Sequence, residues 1–313
     1  RNGRIGRVHT VKIGIGQDQP KGAAPKAQPV PANLDFETWL GPAPQQPYME
    51  ARVHPQDSLG RPGWITTEDF GLGMITNWGA HHVDIMQWGL GQELGGPLAL
   101  EGRATFMQND VWTVHQTYHV EMLYPGEVRV ILDNEFPNGI RFEGADGCVF
   151  CARGAGLVTS SDPGAAKQAE SARKSLDASN LAILTAPYGP KDVRWPASDD
   201  HYRNWLEAII ARKDPIAPVD QSARSLEACA AAWIAMRLQR KLTWDPKREA
   251  FVNDAESICT VVYHHKVVGC FVDVVSKNTA GRTFTATNAP QGGTLDQREG
   301  HDKVFDKTLT IPA

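Results

Sequence analysis

Between Leu98 and Cys151 the apolar residues recur at every second position, and short turn sequences break the run at regular intervals. ALEGRATFMQ (99–108), HQTYHVEMLY (115–124), VRVILDNE (128–135), IRFEGA (140–145) and CVFCARG (148–154) are strand-length runs, separated by PG, PNG and ADG turns. Period two across five such runs demands a sheet, and short links between neighbours predict that it is mostly antiparallel. On both sides the period lengthens to that of helices.

NWGAHHVDIMQWGLG (77–91) forms one predicted helix, stopped by the glycines that follow. Within it His81, Asp84, Ile85 and Trp88 share a face at i, i+3, i+4 and i+7, whereas His82 lies on the neighbouring stripe. A second helix is predicted over 199–214, with Tyr202, Asn204 and Trp205 packing it onto the sheet. A third starts at an Asp220 or Ser222 cap and stops before Pro246. Residues 4–16 read as a strand, 164–176 as a helix, and 34–48 as one short helical turn ended by Gly41 and Pro42. From there to Gly73 runs a long aperiodic segment whose Trp39, Tyr48, Arg61 and Trp64 argue for order. The order strand, loop, helix, strands, helix pair is that of an α+β domain.

Composition narrows function mainly by exclusion. The 313 residues carry a net charge of -4, with pI near 6.2, which gives no electrostatic reason to expect nucleic acid. No run of 18 apolar residues exists that could cross a membrane. The five cysteines do not suggest a disulfide framework. The closest pair, Cys148 and Cys151, sits in a strand pattern without a second pair for zinc or a helix start to acidify a thiol.

His81 and Asp84 supply at most two metal ligands, and His115 and His119 would stand roughly 13 Å apart on a strand. HEXXH and GxSxG are both missing, and GIGQDQ (14–19) runs into Pro20 instead of opening a helix. No metal site and no dinucleotide loop is expected.

Six phrases in order are more specific than any of these. RNGRIGRVHTVKIGIG, LDFETWLGPAP, the R-x-GW at 61–64, NWGAHHVDIMQWGLG, HYRNWLEAIIARKDPIAPV and RLQRKLTWDPKREAFVNDAE resemble the C-terminal region of bacterial Gfo/Idh/MocA oxidoreductases over residues 1–256. The resemblance implies a full-length parent with an N-terminal NAD(P)-binding Rossmann domain, which this sequence does not contain. It also implies a C-terminal α+β domain for substrate binding and oligomerisation, a large open, mostly antiparallel sheet with helices on one face. Residues 257–313 stand as an extension of uncertain structure. NAD or NADP is expected for the parent and no cofactor for this chain alone. The expected substrate is a sugar or polyol; the expected partner is a second copy bound through the open sheet face.

In such enzymes a helix-borne His in a D-x-x-x-H pattern is the general base. The resemblance places His81 there, with Asn77 where the Asp usually stands and Asp84 as its neighbour on the same face. An imidazole with an ordinary pKa near 6.5 suits proton removal from a hydroxyl that loses hydride. Asn77 cannot supply the negative charge that holds an imidazolium. Trp39, Arg61 and Trp64 are candidates for lining the cofactor side, although Trp in a loop also serves as a packing anchor. Trp88 is expected in the core. NAD-mediated glycoside cleavage and a non-catalytic assembly module are the alternatives.

Overall fold

The computed structural model describes residues 1–19, 26–41, 43–54, 63–108, 111–152 and 176–254, with the backbone of 283–284 and 309–310. Residues 164–175 of the predicted helix and nearly all of 257–313 lie outside these residues; Leu176, the last residue of that predicted helix, is in a strand instead.

Nine strands form one sheet: β1 (Val8–Gly14), β2 (Ala99–Phe106), β3 (His115–Tyr124), β4 (Val128–Asp133), β5 (Gly139–Gly144), β6 (Gly147–Cys151), β7 (Leu176–Ala178), β8 (Leu242–Asp245) and β9 (Ala250–Phe251). Their spatial order is β7-β6-β5-β1-β4-β3-β2-β8-β9. The predicted strand series is therefore interrupted. β1 enters between β4 and β5, parallel to the first and antiparallel to the second, with Val11 opposite Val130 and Phe142. The other named pairings are antiparallel. A separate two-stranded pairing joins β10 (Thr283–Phe284) and β11 (Leu309–Thr310).

The helices in chain order are α1 (Phe36–Leu40), α2 (Glu50–Val53), α3 (Met74–Leu90), α4 (Leu181–Thr185), α5 (His201–Ala211) and α6 (Val219–Leu238). α3 and α6 cover one face of the sheet, where Val11, Ile13, Val120, Met122, Val130 and Leu132 are buried. Each such side chain contributes about 1.5–3 kcal/mol by leaving water. α6 is enclosed over Ala228–Met236, because it lies between α3 and β2. Its small residues allow that enclosure. A Cβ on Gly102 of β2 would come within 3.0 Å of the Met236 backbone nitrogen, so α6 rests directly on the strand.

The opposite face of the sheet carries Lys12, Glu121, Arg129, Arg141 and Glu143, tied in ion pairs. Exposed pairs of this kind contribute about 0–1 kcal/mol each, so stability comes from the helix-covered face.

Two helix expectations need correction. α5 does not pack through Tyr202 and Trp205, which are 71% and 57% exposed; its apolar stripe points outward, and only Ala208 is buried. Asn204 instead accepts the backbone N–H of Ile216, closing the turn after the helix. α6 begins after Pro218 without a side-chain cap, so neither Asp220 nor Ser222 performs that role. Proline at this point fixes φ for helix entry at no cost in hydrogen bonds.

Candidate functional site on α3

α3 starts three residues before the predicted onset, and its first turn explains why. Gly73 precedes it at φ +73°, a conformation that favours glycine. The Met74 N–H donates to Asp18 Oδ2 at 2.6 Å, and the Gly73 N–H to the Ile65 carbonyl at 3.1 Å. Asp18, 4% exposed, arrives from the segment after β1. A carboxylate here neutralises the positive end of the helix as well as satisfying a backbone donor. A side chain at position 73 would strike that carboxylate at 2.3 Å.

Behind Asp18 lies a polar cluster that sequence patterns did not reveal. The β2–β3 register shifts between Ala104 and Phe106, placing His115 opposite Phe106, where it is fully buried. His115 Nε2 is 3.7 Å from Asp18 Oδ2, and neither ring nitrogen hydrogen-bonds among the described residues. Burial first, and the Arg237 cation second, push the imidazole down to about 3. It is thus neutral, and its approach to Asp18 is not an ion pair. Arg237 itself pairs with Glu68, while its guanidinium lies 3.6 Å over the Phe106 ring. Thr113 Oγ1 accepts the Glu68 N–H at 2.9 Å. Burial raises the Glu68 carboxyl, and the Arg237 contact opposes this.

Further along α3 the two adjacent histidines part. His82 is buried and donates from Nε2 to Asn138 Oδ1 at 2.7 Å, fastening the helix to the turn before β5. His81 is exposed on the outer stripe, edge-on to the Trp78 ring at 5.6 Å. Asn77, half-buried, stands one turn earlier on that stripe; among the described residues its carboxamide makes no hydrogen bond.

Asp84 shares the stripe, but its Oδ1 accepts from Ser225 Oγ of α6 at 2.9 Å. Gln87 Nε2 also reaches Ser225 Oγ, and Tyr124 OH donates to Gln87 Oε1, so the carboxylate heads a buried chain between helices and sheet. Burial raises the Asp84 carboxyl, with the Ser225 bond opposing.

The tryptophans fall into packing roles. Trp39 stacks on Phe36 at 5.6 Å and meets Phe70 at 4.9 Å in a satellite apolar cluster. Trp64 is half-buried in the 3-10 turn Gly63–Thr66, its ring over Gly71 two residues before the α3 cap. Arg61 lies outside the described residues. Trp88 is not in the core: it is half-buried and stacks on Trp195 at 5.1 Å. Cys148 and Cys151, three apart on β6, project to opposite faces and cannot bridge. Among the described residues no group of three His, Cys, Asp or Glu could hold a metal, and no helix is long and apolar enough to cross a membrane.

The sequence model described as "Oxidoreductase family, C-terminal alpha/beta domain", of the Gfo/Idh/MocA group, matches residues 21–159. Over those residues the chain is similar to the C-terminal domain of the Gfo/Idh/MocA oxidoreductases. No curated protein matches it by sequence. Among solved structures it is similar to the aldose-aldose oxidoreductase of Caulobacter crescentus, at 16% identity and a TM-score of 0.46. It is also similar to the WlbA dehydrogenase of Bordetella pertussis, at 13% identity and a TM-score of 0.43. Each comparison covers 78% of this chain, which spans 57% of the length of either protein.

Proposed function

We propose that this chain is the C-terminal portion of an NAD(P)-dependent oxidoreductase acting on a sugar or polyol hydroxyl, with His81 as the group that takes the hydroxyl proton. The observation that carries the reading is the position of His81. It is an exposed imidazole on a helix whose His82, Asp84 and Gln87 are engaged with the turn before β5 and with α6, in a chain that matches an oxidoreductase family over residues 21–159.

The described residues do not fit a dinucleotide by themselves. A Cβ on Gly14 would lie 2.0 Å from the Pro137 carbonyl, so this glycine serves strand–turn packing rather than a phosphate cradle. The amide at the start of α3, the natural place for a phosphate, is filled by the Asp18 carboxylate. Proton transfer is therefore the step assigned to this chain. Asn77 carries no charge, so it can orient His81 only through a hydrogen bond, and an imidazolium formed there lacks the usual carboxylate partner. Asp84 acts at one remove, holding α3 against α6 through Ser225. The open sheet face, lined with alternating charges, is the surface for a second copy. A non-catalytic assembly module is the second reading, and Asn77 is the observation that favours it.

The test is substitution in the whole protein. His81→Ala should lower kcat by about 10²–10⁴-fold, the usual contribution of a positioned acid–base group, with KM changed little. An undiminished kcat would remove His81 from the chemistry. The 313-residue chain alone, given NAD⁺ or NADP⁺ and a panel of aldoses and polyols, should produce no absorbance of reduced nicotinamide.

A further inference from the structure

His119 on β3 lies on the open face, between two carboxylates. Its Nδ1 is 2.7 Å from Asp133 Oδ2, directly across on β4, and its Nε2 is 3.2 Å from Glu121 Oε1, two residues along the same strand. An ionised carboxylate only accepts hydrogen bonds, so the ring satisfies both carboxylates at once only by donating from both nitrogens, which imidazole does only as the cation. The other ends of the cluster are closed as well. Arg129 grips Glu121 through Nε at 2.9 Å and Nη2 at 2.5 Å, and the Glu135 N–H donates to Asp133 Oδ1 at 2.8 Å. From β2, Arg103 stands opposite His119 and Glu101 opposite Glu121, both exposed.

With the proton in place, the four linked groups Asp133, His119, Glu121 and Arg129 sum to zero charge. Without it they carry one net negative charge, and a ring lone pair faces a carboxylate.

We infer that self-association through this face is proton-dependent, with His119 as the controlling residue. The inference rests on the homo-oligomer reading proposed above. Charge pattern selects a second copy as the occupant. Lys12–Glu143–Arg141 on β1 and β5 and Arg129–Glu121–His119–Asp133 on β3 and β4 alternate in sign, with Ile131 between them. A face of alternating sign can meet its own copy in an isologous contact without setting like charges together. Burying Asp133 and Glu121 against a partner removes water, so each must keep its donors. The cationic His119 supplies both carboxylates at once; the neutral ring leaves one of them short. Association is thus favoured on the acid side.

Sedimentation equilibrium of the 313-residue chain at about pH 6 and about pH 8.5 provides the test. The dissociation constant should rise with pH by up to tenfold per unit for each linked proton, one per copy. His119→Gln, which cannot become a cation, should associate with a constant independent of pH. A ¹⁵N imidazole spectrum at the acid end should show both His119 nitrogens protonated, a readout that does not depend on the variant folding. Association of equal strength at both ends, or the same pH dependence in His119→Gln, overturns the role of His119 and leaves the oligomer reading standing. A monomer at every pH and attainable concentration overturns both.

Discussion

Acid should unfold this protein through a residue with no role in catalysis. In the folded chain His115 is fully buried, and burial together with the Arg237 cation pushes it down to about 3. Unfolded, it returns to about 6.5. The folded state therefore binds fewer protons than the unfolded state between these values. A base depressed on folding contributes stability that is fully present above the unfolded value and is lost as pH falls through the window from 6.5 to 3. Each pH unit in that window costs about 1.4 kcal/mol. Moving from pH 7 to pH 5 should thus remove about 2 kcal/mol through this one side chain. Urea unfolding at the two pH values, for the native chain and for His115→Gln, isolates the contribution. The variant starts less stable, because a buried amide replaces a packed ring, but its loss between pH 7 and pH 5 should be smaller by about 2 kcal/mol. Equal losses in the two proteins would refute the account and would mean that His115 finds a proton without unfolding.

Three further outcomes follow from packing and capping. Asp18→Ala should cost about 2 kcal/mol by leaving the Met74 N–H without its acceptor, whereas Asp18→Asn, which keeps an acceptor, should cost less; equal midpoints in urea for both variants would contradict the capping role. Gly102→Val should destabilise by several kcal/mol, since its side chain would enter the α6 backbone; an unchanged melting temperature would show that α6 does not rest on β2 as described. Cys148 and Cys151 should both remain reactive toward a thiol reagent in the denatured chain after mild oxidation, Cys151 more slowly in the folded state because burial lifts its thiol to about 11. Recovery of an intramolecular 148–151 disulfide would contradict their placement on opposite faces.

The parts of the fold that were legible in the sequence are those fixed by local periodicity. β2 and β3 show period two because one face of each is buried, and α3 and α6 show themselves by apolar spacing. What failed depended on distant partners. The parallel pairing of β1 with β4 joins Val11 to Val130, and nothing in either strand announces the other. The onset of α3 was placed at Asn77 instead of Met74 because its cap, Asp18, stands 56 residues away in sequence. His115 and His119 share parity in sequence, yet the register shift at the start of β3 buries the first under α6 and leaves the second on the open face. α5 carried an apolar stripe that promised a core position, and the chain folds with that stripe outward. At the candidate site the neighbourhood of Asn77 and His81 was readable as a local phrase. The inward engagement of Asp84 was not, because Ser225 lies 141 residues downstream.

The placement of β1 also sets the order of assembly during synthesis. Its neighbours, residues 128–133 and 139–144, follow it by more than a hundred residues. At about 5–20 residues per second the first strand waits on the order of ten seconds for partners on both sides. Until then the strands that follow can form only two separate ribbons, each with an unpaired edge that β1 must close. Folding should therefore be slow, as expected for non-local strand pairing. Deletion of residues 8–14 should leave two sheets that cannot join, and a chain that aggregates instead of one that is merely less stable.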